Sequence, residues 1–207
     1  MGRFFNSKFF DSITKATDVL ILGFFFAICS LPIFTIGASS TALYYTTHKV
    51  VYKGRGYDRE FFRSFKENFK QATLSWVIFM LAFAILAGDI YITRHMVTPG
   101  SPLAAASIFF LILLVFTIVW AIYHFAYIAR FENGFKESFK ISFIFMILNI
   151  QWSIVIVLVS AAILVLMYYI PFLILFAPGL FSCGLHPILE NVFRKYMTPE
   201  DIAKEDD

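Results

Sequence analysis

An all-α, polytopic integral membrane fold is what this sequence predicts, and three observations predict it. Of its 207 residues, 59% are hydrophobic and only 15% are charged, whereas a soluble domain carries about 25% charged residues. Several apolar stretches reach the roughly 20 residues that a helix needs to cross a bilayer. The basic residues gather in the segments between those stretches, as they do in cytoplasmic loops. The chain has too few polar residues to coat a globule, so its apolar surface must face lipid. The 27 phenylalanines suit lipid-facing and helix-packing surfaces.

The first apolar segment covers about 13–31. Arg3 and Lys8 before it and Lys15 at its start imitate the charged start of a signal peptide. That start is full of phenylalanine, however, no small-x-small cleavage site follows, and more apolar segments come later, so the segment is expected to remain as a helix. Pro32 to Gly37 then interrupts the chain. The next segment, 38–51, is short and half polar. Long apolar runs follow at 73–92, 103–128 and 141–166. The last, 171–189, contains Pro178-Gly179. A tail covers 194–207.

Charge placement decides whether 38–51 counts as a crossing. Lys49, Lys53, Arg55, Arg59, Arg63, Lys66 and Lys70 occupy its end and the loop after it, and three basic residues lie before or at the start of the first segment. Both groups lie on the cytoplasmic side only if two crossings separate them. Six helices in three hairpins then place 16 of the 17 basic residues inside, with Arg130, Lys136 and Lys140 in the next loop, Arg194, Lys195 and Lys204 in the tail, and Arg94 alone outside. This arrangement leaves both termini on the cytoplasmic side. Proline and glycine mark the outer turns.

A Phe-rich amphipathic elbow precedes each hairpin: Phe4 to Phe10, Phe61 to Lys70 and Phe135 to Lys140. The last two share Phe-Lys-Glu-(Asn or Ser)-Phe-Lys, which is either a weak threefold repeat or the common composition of interfacial helices. In the second elbow, Arg59, Arg63, Lys66 and Lys70 share one narrow sector at 100° per residue, and Phe61, Phe62, Phe65 and Phe69 share the neighbouring one. Such a helix lies flat, with its rings in the acyl boundary and its cations at the headgroups. It serves as a membrane-surface anchor or as a docking face for a cytoplasmic partner.

The sequence carries little catalytic machinery. It has no G-x-x-x-x-G-K-(S/T) and no H-E-x-x-H, and Leu180-Phe181-Ser182-Cys183-Gly184 lacks the first glycine of a nucleophile elbow. Cys29 and Cys183 lie in apolar stretches and are expected to act as small packing residues. A non-enzymatic protein is expected, with no cofactor, no metal, no direct ATP binding and no nucleic-acid partner. The ionisable residues inside apolar segments are Asp18, Asp89, His124, His186 and Glu190. Burial of such groups in a membrane is costly. Asp18 and Asp89 fall near the interfaces. His186 and Glu190 stand at i, i+4 and can bond along one helix face. Structural pairs are favoured over a proton relay, which would place these groups near the midplane.

The segment Leu31-Pro32-Ile33-Phe34-Thr35-Ile36-Gly37-Ala38 has its own interest. Pro32 removes a backbone donor and Gly37 permits an abrupt turn. Irregular backbone at membrane depth needs protein or water to satisfy it. The small residues Gly37, Ala38, Ser39 and Ser40 allow another helix to approach closely. With Pro32 and Thr35 they form either a partner-packing turn in a broken helix or an ordinary outer hairpin turn.

This segment, Ile28-Cys29-Ser30-Leu31-Pro32-Ile33-Phe34-Thr35-Ile36-Gly37-Ala38, followed by Thr41-Ala42-Leu43-Tyr44-Tyr45, resembles the signature of the YesL-like family. That family is a group of bacterial membrane proteins catalogued as a domain of unknown function. Its pattern is Leu-Pro-x-x-Thr-x-Gly-Ala, a run of small residues, then Ala-Leu-Tyr. The stretch Phe65 to Lys70 and the proline-containing last helix also fit, so the resemblance extends over essentially the whole chain. Gly23-Phe24-Phe25 departs from it, since Asn before an aliphatic and an aromatic residue is the family pattern there. The resemblance implies a genomic neighbourhood of carbohydrate ABC importers and glycoside hydrolases in Gram-positive bacteria. It implies no activity and no residue role. The expectation is a non-catalytic accessory subunit packed against the permease of a carbohydrate or glycan ABC importer. The alternatives are an independent secondary transporter or channel for a small solute and a membrane sensor or scaffold.

Overall fold

A computed structural model describes residues 17–49, 58–96 and 102–197. Every regular element among them is helical. They are α1 (Thr17–Cys29), then α2 (Ile36–Thr47), α3 (Asp58–His95), α4 (Pro102–Arg130), α5 (Phe135–Leu148), α6 (Ile150–Tyr169) and α7 (Ala177–Arg194), with 3-10 turns at Ile33–Thr35 and Pro171–Phe176. The first elbow and most of the tail lie outside the described residues.

Among the described residues, three helices are long and apolar enough to cross a membrane, over Arg59–His95, Ala106–Arg130 and Ile150–Tyr169. The chain is thus an all-α, multi-pass membrane-like fold. Its outward faces are apolar, with Ile85, Ile112, Leu158 and Leu164 all well exposed, as lipid contact requires.

The second elbow does not form a separate interfacial helix. It runs without a break into the following span as the first turns of α3. No proline or glycine stands between Lys70 and Trp76, and the intervening Gln71, Ala72 and Leu74 favour helix. At 1.5 Å per residue, α3 is about 57 Å long, far more than the roughly 30 Å hydrocarbon core. The rings are also divided otherwise than expected. Phe61 is fully buried with Leu22, Ala42 and Leu43, and Phe65 packs inward beside it, while Phe62 and Phe69 stay exposed.

The expected helix over 141–166 is in fact two. The elbow at Phe135 opens α5, and the helix breaks at Asn149, whose φ and ψ are −116° and 44°. Side chains fill the break. Asn149 Nδ2 donates to the Phe145 carbonyl at 2.9 Å and Ser153 Oγ donates to the Met146 carbonyl at 3.0 Å. Asn and Ser side chains commonly compete in this way with the helical ladder.

The short, half-polar segment becomes α2, which is an interior helix. Nine of its residues are buried, and it packs against α3, α4 and α7. Its 12 residues rise about 18 Å, less than a bilayer core. The polar side chains therefore face protein. Thr41 and Thr46 hydroxyls return to carbonyls one turn earlier, at 3.1 and 2.7 Å.

Two glycines permit the closest helix approaches. A Cβ on Gly37 would stand 2.6 Å from both the Ala72 carbonyl oxygen and Trp76 Cβ, and a Cβ on Gly179 of α7 would collide with Val19 of α1. Pro187 lies inside α7, where it lacks the N–H that other helix residues donate one turn back.

Candidate functional site

Two i, i+4 pairs face each other between α2 and α7. Tyr44 and His48 lie on one helix and His186 and Glu190 on the other, each pair stacked on one face as helical spacing dictates. His48 caps α2 in a final turn of π geometry, a local widening often found at functional sites. His186 immediately precedes the proline of α7.

The two rings meet edge to edge. His48 Nδ1 lies 2.8 Å from His186 Nε2. Glu190 Oε1 lies 3.6 Å from His48 Nδ1 and 3.8 Å from His186 Nε2, and it accepts a 2.9 Å hydrogen bond from the Tyr44 hydroxyl. Arg130, the last residue of α4, sets its guanidinium against the same carboxylate. Its Nε is 2.8 Å from Oε1 and Nη2 donates to Oε2 at 3.1 Å. The guanidinium thus lies against both oxygens and hydrogen-bonds one of them. Tyr44, His48, His186 and Glu190 are all buried, and Arg130 and the Tyr44 hydroxyl supply the partners that a buried carboxylate needs. A second tie joins the same helices, since Ser182 Oγ donates to Thr47 Oγ1 at 2.8 Å.

Tyr44 also lines an open apolar cleft of about 480 Å³ bordered by α1, α2, α3, α4 and α7, with Phe26, Trp76, Phe125, Phe181 and Leu185 among its walls. The cluster thus stands at one end of a greasy hollow. Chemically it combines a carboxylate, two imidazoles, a phenol and a fixed cation, a set able to bind a metal ion or to pass a proton.

The sequence-predicted residues are distributed unevenly around this centre. His186 and Glu190 are in it. His124 forms a separate hub that joins three helices. Its Nε2 is 2.8 Å from Ser75 Oγ on α3 and its Nδ1 is 3.1 Å from Ser142 Oγ on α5. The Phe139 ring lies 4.1 Å from the imidazole, centroid to centroid. Two hydroxyls engage both ring nitrogens, which makes His124 a structural staple. Asp18 is half-buried on α1 and joins neither group.

Arg59, Arg63, Lys66 and Lys70 are all exposed on the first turns of α3. Arg63 also pairs along the helix with Glu60 and Glu67, at 3.5 and 3.3 Å. At the turn, Thr35, Gly37, Ala38 and Ser39 are buried and Pro32 is exposed. The close packing that these small residues allow is filled by α3 and α4 of the same chain. Thr35 Oγ1 reaches the Cys29 and Pro32 carbonyls at 2.5 and 2.6 Å, and Trp76 Nε1 donates to the Ile33 carbonyl at 2.7 Å. The irregular backbone is therefore satisfied from within, and Leu31, Ile33 and Phe34 project outward.

Sequence reasoning missed three members of the centre. His48 stands beside a basic loop, Tyr44 reads as part of a family signature, and Arg130 counts as loop charge. The available signal was the i, i+4 spacing of Tyr44 and His48, which matches that of His186 and Glu190.

Residues 19–90 match the family model described as "Protein of unknown function, DUF624". No curated protein and no solved structure matches the chain. The chain therefore carries a DUF624 domain, the family to which YesL-like proteins are linked, over α1, the turn, α2 and most of α3. Tyr44 and His48 fall inside the match, while Arg130, His186 and Glu190 fall beyond it. The likeness of the later segments to YesL-like proteins rests on the residues quoted above.

Proposed function

We propose that the protein is a non-catalytic accessory subunit of a carbohydrate ABC importer, packed within the bacterial cytoplasmic membrane against the permease subunits, with both termini cytoplasmic. The DUF624 match over residues 19–90 carries this reading, together with the genomic association that the YesL-like resemblance implies. The absence of a P-loop and of familiar enzyme motifs from the sequence supports a subunit that borrows the importer's energy source. The exposed apolar turn at Leu31, Ile33 and Phe34 supplies a contact surface. Affinity purification of the tagged protein from native membranes in mild detergent tests the proposal. Permease subunits are expected in the eluate. Recovery without them, from cells in which the importer is intact, would contradict it.

One observation favours a second reading, an independent transporter. The buried cluster around Glu190 adjoins the cleft through Tyr44, as a solute or proton path would require. Of the other ionisable residues in apolar segments, Asp18 and His124 lie apart from it. Flux of a solute into vesicles containing this protein alone would support the transporter over the accessory subunit.

A further inference from the structure

We propose that His48, His186 and Glu190 form a binding site for a first-row divalent transition metal of the zinc class, which would lock α2 to α7. The three facing atoms, His48 Nδ1, His186 Nε2 and Glu190 Oε1, stand 2.8, 3.6 and 3.8 Å apart. The point equidistant from the corners of a triangle with those sides lies about 2.0 Å from each corner, which is the zinc–imidazole and zinc–carboxylate bond length of about 2.0–2.2 Å. In a tetrahedral site with such bonds, neighbouring ligand atoms are separated by about 3.3 Å. To reach that spacing the two nitrogens move apart, and the carboxylate oxygen moves toward them, each by a few tenths of an ångström.

The donor set agrees with the spacing. Two imidazoles and one carboxylate suit zinc and its first-row neighbours better than calcium or magnesium, which prefer oxygen alone. Three protein ligands leave a fourth position, which the Tyr44 oxygen, 2.9 Å from Oε1, or a water molecule is placed to fill. Arg130 and Tyr44 already orient the carboxylate, as outer partners do at metal centres. The guanidinium charge opposes a second cation, so affinity is modest, and binding requires both facing ring nitrogens to be free of protons. All three ligand residues are buried, which removes competing water and fixes their directions.

Cobalt(II) is the probe of choice, added to the full-length protein purified in detergent without a polyhistidine tag and stripped with a chelator. One Co²⁺ per chain is expected, with the intense visible absorption of a four-coordinate nitrogen and oxygen site, displaced by one equivalent of Zn²⁺. His48→Ala, His186→Ala and Glu190→Gln should each weaken binding at least about 100-fold, the upper end of what loss of an outer partner costs. His95→Ala, at an exposed position on α3, should bind as the wild type does. Absence of stoichiometric Co²⁺ uptake by the wild-type protein would overturn the proposal, as would wild-type affinity in the His48 and His186 variants. Should those variants fail to fold, X-ray absorption of the zinc-loaded wild type decides. Two imidazoles in the coordination shell support the site, and a shell of oxygen alone overturns it.

Discussion

Gly37 lies where three helices meet. A methyl group there would press on the Ala72 carbonyl of α3, on Trp76 Cβ and, at 2.8 Å, on the Phe125 ring of α4. Two of these neighbours are backbone or the root of a large side chain and cannot swing aside. Gly37→Ala should therefore destabilise the protein by about 1–3 kcal/mol, the usual cost of overpacking. A thermal melt in detergent checks this, and an unchanged midpoint would show that the helices are not in contact as described. The need for a small residue at Gly37 was legible from sequence, through the run of small residues after Pro32. Its true neighbour was not, because spacing along one helix says nothing of which other helix fills the groove. His48 shows the same limit. Its partner His186 is 138 residues away, and no local pattern links them.

Among the elements, α3 and α5 depart most from expectation. Composition alone suggested an interfacial elbow followed by a span. Where nothing breaks the helix, as between Lys70 and Trp76, the two fuse. Where a polar side chain can replace the ladder, as at Asn149, an apolar run divides. Asn149→Ala removes the bonds from Nδ2 to the Phe145 carbonyl and to the Tyr196 hydroxyl. At about 1 kcal/mol for each net hydrogen bond, a loss of about 2 kcal/mol is expected, seen as a lower melting midpoint. A raised midpoint would mean that the break is strained and not supported. The interior position of α2 has a plain cause. Its threonines, serines and tyrosines made it a weak candidate for a lipid-facing span, and the same side chains make it well suited to the middle of a bundle.

Across the whole molecule, the first turns of α3, the junction of α4 and α5, and the end of α7 share one end of the bundle. Gln71 Nε2 donates to the Asn133 carbonyl and to Ser138 Oγ, at 3.2 and 2.9 Å, and Arg130 joins Glu190. Arg94 and His95 lie at the opposite end of α3. The charge asymmetry read from sequence is thus a spatial asymmetry too, and basic loops on one side bias that side toward the cytoplasm. In a variant with Cys29 and Cys183 replaced by serine, a membrane-impermeant maleimide should label His95→Cys in intact cells. It should reach Lys195→Cys only after lysis, and the reverse pattern would invert the orientation.

The fold class, the helix-breaking turn and the charge pattern were legible because each is written in short-range composition. The buried centre was not, because it is assembled from α2, α4 and α7. Membership of an importer complex is the claim on which the functional account depends, and photocrosslinking tests it most directly. A benzophenone amino acid placed at Phe34, which projects from the satisfied turn, should form an adduct with a permease subunit in living cells. Adducts with lipid or with the protein itself alone, in cells that express the importer, would contradict the account.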